Sequence, residues 1–102
     1  MKTTFREEIG KFIATLEGRL DTAASEQTAK ELEVLNDCTG HDIEIDCSKL
    51  DYISSSGLRI LLNIRKNAGL VGSKVTIKNM KEDIRKVFDM TGFSSIFNIN
   101  RL

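Results

Sequence analysis

The chain has 102 residues, which suffices for one domain with one hydrophobic core and leaves no room for a second. Its composition, 40% hydrophobic and 29% charged, is typical of a folded globular chain rather than a disordered one. The 15 basic and 15 acidic residues cancel, so the chain has none of the basic excess with which nucleic-acid-binding proteins neutralise phosphates.

The two cysteines, Cys38 and Cys47, have no neighbouring Cys or His at a zinc-binding spacing, and two thiols do not make a disulfide framework. We therefore expect both as free thiols in a cytoplasmic protein. No secretory signal is recognisable, and no apolar run approaches the roughly 20 residues that span a bilayer, so we expect no membrane contact. A P-loop and a dinucleotide-binding glycine motif are missing, so no cofactor is expected. Because no zinc-binding spacing is present, no metal is expected either.

The first residues favour two strands. Residues 3–8 are a weak strand candidate, and residues 12–16, rich in apolar and β-branched side chains, are a stronger one. The short connection at Gly10 predicts that the first strand is an antiparallel addition to the sheet. We expect the second strand to end at Gly18, which marks a turn.

A helix is expected next. Asp21 or Thr22 can cap it, because a side-chain oxygen at that position accepts hydrogen bonds from free backbone N–H groups. Residues 23–35 are good helix formers. Their helical stripe consists of Thr28, Ala29, Leu32 and Leu35.

The middle of the chain predicts a strand and a well-buried helix. Residues 43–47 alternate apolar and polar side chains, as a half-buried strand does. After Gly57, apolar residues recur at helical spacing, and we expect Leu61 and Leu62 to be buried. Gly69 and Gly72 should end this helix.

A third strand and a third helix follow. Residues 74–78 alternate again, and Asn79 followed by Glu82 resembles a capping box at the start of a helix. Gly92 is expected to end that helix in the left-handed conformation. Residues 96–99 offer one last short strand.

The expected order is β-β-α-β-α-β-α-β within a single domain of residues 1–102. Strands that alternate with helices imply right-handed crossovers between parallel neighbours. The predicted fold class is therefore α/β, with a mixed, mostly parallel sheet and helices packed against it.

Residues 46–58 form the segment most able to carry function. We expect the strand to end at Cys47, a polar loop to follow, and a helix to open near Ser55. A helix start has unpaired N–H donors and a partial positive charge, both of which favour an anion. The serines there can cap the helix or accept a phosphoryl group, and the residues alone leave both interpretations open.

A serine enzyme fits the sequence less well. His41 is the single histidine and lies in a turn, which makes it a weak candidate for a base beside Ser55. The Gly-x-Ser-x-Gly elbow of serine hydrolases is missing. We therefore predict that the chain is not an enzyme, and we assign no catalytic residue.

Three segments, in order along the chain, carry a family resemblance. Residues 46–48 and 52–58, Asp-Cys-Ser and Tyr-Ile-Ser-Ser-Ser-Gly-Leu, resemble the signature of STAS domains, in particular of bacterial anti-sigma factor antagonists. Residues 18–21 resemble the Gly-x-Leu-Asp turn of these proteins, and residues 87–93 resemble their late helix and its stop. The sequence departs from the family at Ser54, where many members have Asp.

The resemblance implies a regulatory switch. In members of this family, a partner kinase that doubles as an anti-sigma factor phosphorylates a serine at the start of the second main helix, and a phosphatase resets it. In the unphosphorylated state such proteins bind the anti-sigma factor and release sigma. Carried over to this chain, the phosphorylated residue is Ser55. The partner-binding residues are Asp21, Ser54, Ser56, Gly57 and Leu58.

On this interpretation the chain regulates transcription through its partners, without contacting nucleic acid itself. The sequence does not determine the oligomeric state, and a monomer is the expectation. Ser54 can then be the N-cap, with Ser55 at the first helical position. Two alternatives stay open. One is a constitutive STAS scaffold in a transporter-associated or stress-signalling complex, and the other is a sensor that holds a nucleotide or another small ligand at the same helix start.

Overall fold

The computed structural model describes residues 1–101, and for Asn36 and residues 98–101 the backbone alone. Its elements are β1 (Lys2–Glu8), β2 (Lys11–Leu20), α1 (Thr22–Leu32), β3 (Asp42–Ile53), α2 (Ser55–Leu70), β4 (Val75–Met80), α3 (Glu82–Thr91) and β5 (Asn98–Arg101). Short 3-10 helices cover Glu33–Asn36 and Phe93–Ser95. The order of strands and helices is the one that the sequence predicts. Leu102 lies outside the described residues.

The five strands form one sheet in the order β1-β2-β3-β4-β5. β1 is antiparallel to β2, and every other neighbouring pair is parallel. The predicted α/β class, the mixed and mostly parallel sheet and the antiparallel first strand are therefore confirmed. Because each parallel strand lies beside the next one in the chain, three right-handed crossovers carry α1, α2 and α3 over the same face of the sheet.

The core lies between that face and the helices. Ile43, Ile45 and Cys47 are buried, whereas Glu44 and Asp46, which alternate with them, are on the opposite face of β3. Buried residues of all three helices join these strand residues in one cluster: Leu32, Leu58, Leu61, Ile64, Ala68, Ile84 and Phe88. The prediction for Leu61 is confirmed. Leu62 is only half-buried, because it lies at the margin of the buried stripe of α2.

β3 is longer than the sequence predicts. It does not end at Cys47 but continues to Ile53, and the expected polar loop is strand. The prediction fails because the register to β2 shifts twice, each time with an extra residue in β3, and this disturbs the alternation of buried and exposed side chains. Leu50 and Ile53 are buried, which holds the extension onto the core.

The Asp46 carboxylate stabilises the first of these irregularities. Its Oδ1 accepts hydrogen bonds from the Ser48 N–H at 2.9 Å and from the Asn79 amide at 3.3 Å. Burial alone would raise the pKa of Asp46, but these hydrogen bonds outweigh it and hold the pKa below its usual value. The carboxylate therefore stays charged and bridges β3 and β4.

β2 also continues past the predicted turn. Gly18 does not end the strand but lies inside it, with a φ of +103°, and β2 runs on to Leu20. The second register shift falls between Gly18 and Arg19, where the backbone needs a conformation that glycine adopts easily. The glycine signal was correct, but it marks an irregularity in a strand rather than a turn.

The later boundaries differ in detail. α1 ends at Leu32 rather than at residue 35. The chain continues as the 3-10 helix Glu33–Asn36. The predicted capping box is wrong: Asn79 belongs to β4 with a φ of 60°, and the N-cap of α3 is Lys81, which makes no side-chain capping bond. Gly92 ends α3 in the left-handed conformation, as predicted.

The last strand begins later than predicted, at Asn98 rather than at residue 96. Phe97 is buried and packs edge-on against Phe88, with 6.0 Å between the ring centroids. This aromatic contact places Phe97 in the core, so Phe97 serves packing and not strand pairing.

Both cysteines are free, as expected, and both are fully buried. Burial raises the pKa of the Cys47 thiol to about 12, and the neighbouring Asp46 charge acts in the same direction. The thiol is therefore protonated and unreactive. Within the described part of the chain, no helix has the length and apolar character required to cross a membrane.

Candidate functional site

Two helix starts lie side by side where β2 and β3 end. The Ser54 N–H donates to the Leu20 carbonyl oxygen at 2.8 Å, which ties the residue before α2 to the last residue of β2. Asp21, the residue after Leu20, is the N-cap of α1, and the helix begins at Thr22. The carboxyl ends of parallel strands are where functional residues of α/β proteins gather, and this edge is the candidate site.

Ser54 is the N-cap of α2. Its side-chain oxygen accepts a hydrogen bond from the Gly57 N–H at 3.1 Å, and its carbonyl oxygen accepts from the Leu58 N–H at 3.0 Å. Ser54 is buried, with 7% of its surface exposed. The sequence offered Ser54 as the cap and Ser55 as the first helical residue, and the structure confirms both positions.

Ser55 presents its side chain to solvent at the first position of the helix. Among the described residues, neither its hydroxyl nor the backbone N–H groups of Ser55 and Ser56 have a hydrogen-bond partner. Ser56 is half-buried. The site thus offers a free hydroxyl directly beside unpaired N–H donors at the positive end of a helix of 16 residues.

Gly57 and Leu58 are buried in the first turn of α2, on the core side of the site. A Cβ atom on Gly57 would come within 2.7 Å of Leu20 Cγ and 2.9 Å of Ile53 Cγ1. Only a residue without a side chain lets α2 approach the ends of β2 and β3 so closely. Leu58 fixes the same helical turn by packing into the core.

Asp21 is half-buried and already has a structural role. Its Oδ1 accepts a hydrogen bond from the Ala24 N–H at 2.9 Å, and its carbonyl oxygen accepts from the Ser25 hydroxyl at 2.7 Å. This confirms the first of the two predicted caps for α1. The carboxylate places a negative charge at the rim of the candidate site.

Two polar contacts beside the site were not predicted from the sequence. The Arg19 guanidinium lies over the Tyr52 ring, 4.4 Å from its centroid, and Lys81 Nζ pairs with Asp51 Oδ1 at 2.6 Å. Arg19 pairs with Tyr52 in the β2–β3 register only because of the two register shifts. The contact could have been predicted only if residues 48–53 had been recognised as a continuation of β3.

His41 is far from the serines, since it precedes β3 and Ser55 follows it. Its ring stacks on Phe12 with the centroids 4.2 Å apart, and its Nε2 contacts Glu7 Oε2 at 3.0 Å. It therefore cannot act as a base for Ser55. In residues 1–101 no group of His, Cys, Asp and Glu side chains is arranged to hold a metal ion.

The fold and the site define a small α/β domain that exposes a capped helix start at one edge of its sheet. The family model described as the STAS domain matches residues 1–101. The chain therefore belongs to the STAS domain family, as the sequence resemblance indicated.

Two relatives show the range of similarity in sequence. BtrV of Bordetella bronchiseptica, which carries the provisional name of an anti-sigma factor antagonist, is 36% identical over 99 residues, or 97% of this chain and 85% of its own length. The anti-sigma-B factor antagonist of Listeria monocytogenes is 24% identical over 96 residues, or 94% of this chain and 82% of its own.

Two solved structures share the fold. An anti-sigma factor antagonist from Mycobacterium paratuberculosis superposes with a TM-score of 0.88 at 17% identity, over 99% of this chain and 86% of that one. The Bacillus cell fate determinant SpoIIAA in its phosphorylated form gives a TM-score of 0.75 at 19% identity, over 99% and 92% of the two chains. At this level of identity the likeness concerns the fold alone.

Proposed function

We propose that this chain is an anti-sigma factor antagonist whose docking onto an anti-sigma factor is controlled by phosphorylation of Ser55. The anti-sigma factor acts as the serine kinase, and a cognate phosphatase restores the docking form. Both reactions take place in the cytoplasm, and the effect on transcription is indirect. The names of the relatives support the class of protein.

The observation that carries the proposal is the free, exposed Ser55 hydroxyl at the first residue of α2. A kinase can reach it without unfolding the helix. Ser54 is a poorer acceptor, because it is buried and its oxygen already accepts from the Gly57 N–H. Ser56 is half-buried, which leaves Ser55 as the most accessible of the three serines.

A phosphate group on Ser55 is compatible with the folded domain. It adds about −1.5 to −2 charges near neutral pH. That charge lies at the positive end of α2, where the N–H groups of Ser55 and Ser56 are available as donors. We therefore expect α2 to remain folded, so that the switch acts at the surface of the protein.

The effect of the phosphate appears when the partner docks. The docking surface consists of Ser55, Ser56 and the Asp21 rim, while Ser54, Gly57 and Leu58 hold the helix start in place beneath it. A partner that covers this surface must desolvate the phosphate beside the Asp21 carboxylate. A loss of about 3 kcal/mol would weaken docking roughly a hundredfold.

The direct test is a phosphorylation reaction with the kinase-type ATPase partner and ATP, followed by intact-mass measurement. We expect the wild type and the control Ser56→Ala to gain the mass of one phosphate group, and Ser55→Ala to gain none. Phosphopeptide mapping that finds the label on Ser54 or Ser56 would move the site. A wild type that stays unlabelled would overturn the switch.

Binding to the same partner, measured by calorimetry, tests the second half of the proposal. Ser55→Ala should bind as well as the unphosphorylated wild type, and the phosphorylated wild type should bind roughly a hundredfold more weakly. Binding by Ser55→Asp should be weaker than that of the unphosphorylated wild type but stronger than that of the phosphorylated form, because one carboxylate carries less charge than a phosphate. Equal binding by all of these forms would leave the constitutive scaffold as the better interpretation.

A further inference from the structure

β1 forms one edge of the sheet, and its residues are exposed except for the half-buried Thr3. It has no proline, and its pairing to β2 is regular over all seven residues, so nothing in its backbone blocks a further strand. An edge of this kind presents unpaired N–H and C=O groups to any strand that fits beside it. What decides the fit is the order of the side chains.

The outward backbone groups belong to alternate residues. β1 and β2 are joined by a two-residue turn, so Glu8 and Lys11 form the first hydrogen-bonded pair of the hairpin. The alternation of an antiparallel ladder then directs the N–H and C=O groups of Thr3, Phe5 and Glu7 away from β2. These three residues can bond a second strand.

The charges of β1 are complementary to those of an identical strand running in the opposite direction. When Phe5 lies opposite its own copy, Lys2 faces Glu8 twice, and Thr4 faces Arg6 twice. Two other antiparallel registers differ from this one by a shift of two residues between the strands. The register centred on Thr4 places Lys2 opposite Arg6, and the register centred on Arg6 places Arg6 opposite its own copy. Of these three registers, only the one centred on Phe5 has no pair of like charges.

The same register brings apolar surface together on the helix side of the sheet. Phe5 is 42% exposed and Val34 is 62% exposed. Both line an apolar groove of about 400 Å³ between β1 and the segment after α1, with Phe12 and Leu35 at its base. A second copy paired through Phe5 covers this groove with its own Phe5 ring, so each copy shields the apolar surface of the other.

We propose that two copies of this chain pair through β1 in an antiparallel register centred on Phe5, forming one continuous sheet. The twofold axis is perpendicular to the sheet, which places the helices of both copies on the same side. The contact is small compared with a stable interface, so the dimer forms weakly and depends on concentration. It lies at the β1 edge, two strands from the end of β3, and leaves Ser55 of each copy exposed.

Cysteine cross-linking tests the register directly, because Cys38 and Cys47 are buried and do not react. Phe5→Cys, Thr4→Cys and Arg6→Cys are each oxidised mildly in the otherwise native protein. We expect Phe5→Cys to form a covalent dimer fastest, since only residue 5 faces its own copy. Faster cross-linking at residue 4 or 6 would mean a shifted register and would overturn the proposal.

Sedimentation equilibrium over roughly a hundredfold range of concentration tests the association itself. The average mass of the wild type should rise from that of a monomer towards that of a dimer. Lys2→Glu should weaken dimerisation about tenfold, because two attractive cross-strand pairs become repulsive. Lys2→Glu combined with Glu8→Lys should recover it, since the opposite charges again face each other.

Lys86→Glu on α3 is the matched control, because it makes the same change of charge at an exposed residue away from β1. It should dimerise like the wild type, and so should Ser55→Ala, which separates this proposal from the proposed switch. A wild type that stays monomeric over the whole range, or a double variant that does not recover, would show that the β1 edge is not a self-association surface.

Discussion

Gly57 has no side chain, and the position of α2 depends on that. A Cβ atom there would lie 2.7 Å from Leu20 and 2.9 Å from Ile53, closer than carbon atoms pack in proteins. Both neighbours are buried core residues and have little room to move. The glycine of the serine-rich motif is therefore explained by packing, and its contribution to function is to hold Ser55 at the edge of the sheet.

We expect Gly57→Ala to lower the free energy of unfolding by about 1–2 kcal/mol, because overpacking costs more than the gain in helix propensity returns. Gly69→Ala is the control, since Gly69 is also in α2 but a Cβ atom there meets nothing within 4 Å. That substitution should raise stability by about 0.5–1 kcal/mol. Urea unfolding of both variants checks this, and a Gly57→Ala protein as stable as Gly69→Ala would contradict the close approach.

At the scale of the element, the start of α2 divides its tasks between two adjacent serines. Ser54 caps the helix from a buried position, and Ser55 contributes an exposed hydroxyl with no partner among the described residues. The sequence allowed Ser54 as the cap and Ser55 as the first helical residue, but it could not show which hydroxyl is exposed. Burial and one hydrogen bond distinguish the two serines.

We expect Ser54→Ala to destabilise the protein by about 0.5–2 kcal/mol, because the Gly57 N–H loses its acceptor. Ser55→Ala should change stability by less than about 0.5 kcal/mol, since it removes no side-chain hydrogen bond within the described chain. Thermal and urea unfolding of the pair distinguish the two roles. A larger loss for Ser55→Ala than for Ser54→Ala would mean that the cap is assigned to the wrong residue.

The sequence predicts elements well where a single period runs undisturbed. The alternation in residues 43–47 and the helical spacing around Leu61 identify a strand and a helix correctly. The prediction fails for residues 48–53, because two extra residues in β3 break the alternation without ending the strand. Contacts that depend on this register, such as Arg19 over Tyr52, could not be predicted from local pattern.

At the scale of the whole molecule, ion pairs between strands stabilise the sheet face that points away from the helices. Glu44 Oε1 lies 3.3 Å from Lys11 Nζ and 2.9 Å from Lys78 Nζ, so one carboxylate joins β2, β3 and β4. Its side chain is only 16% exposed. Burial alone would raise the pKa of Glu44, but hydrogen bonds and charges from Lys78 and Lys11 outweigh it and hold the pKa below its usual value of 4.5.

A lowered pKa in the folded state means that Glu44 binds its proton more readily in the unfolded chain. Its contribution to stability is therefore complete above a pH of about 4.5 and is lost as the pH falls through the lower, folded value. Asp46 on the same face acts in the same direction below its usual pKa of 3.8. The protein should thus lose stability in acid partly through this face.

We expect Glu44→Gln to be less stable than the wild type at neutral pH and to lose less stability on acidification, because the group responsible for the loss has been removed. Urea unfolding at several pH values between about pH 7 and about pH 3 gives the free energy of unfolding of each protein and its decrease on acidification. Glu26→Gln is the control, since Glu26 pairs with Lys30 at 3.9 Å on a solvated helix face, where such pairs contribute little. If Glu44→Gln and the wild type lost stability in parallel as the pH fell, the three-strand ion pair would not be what stabilises this face.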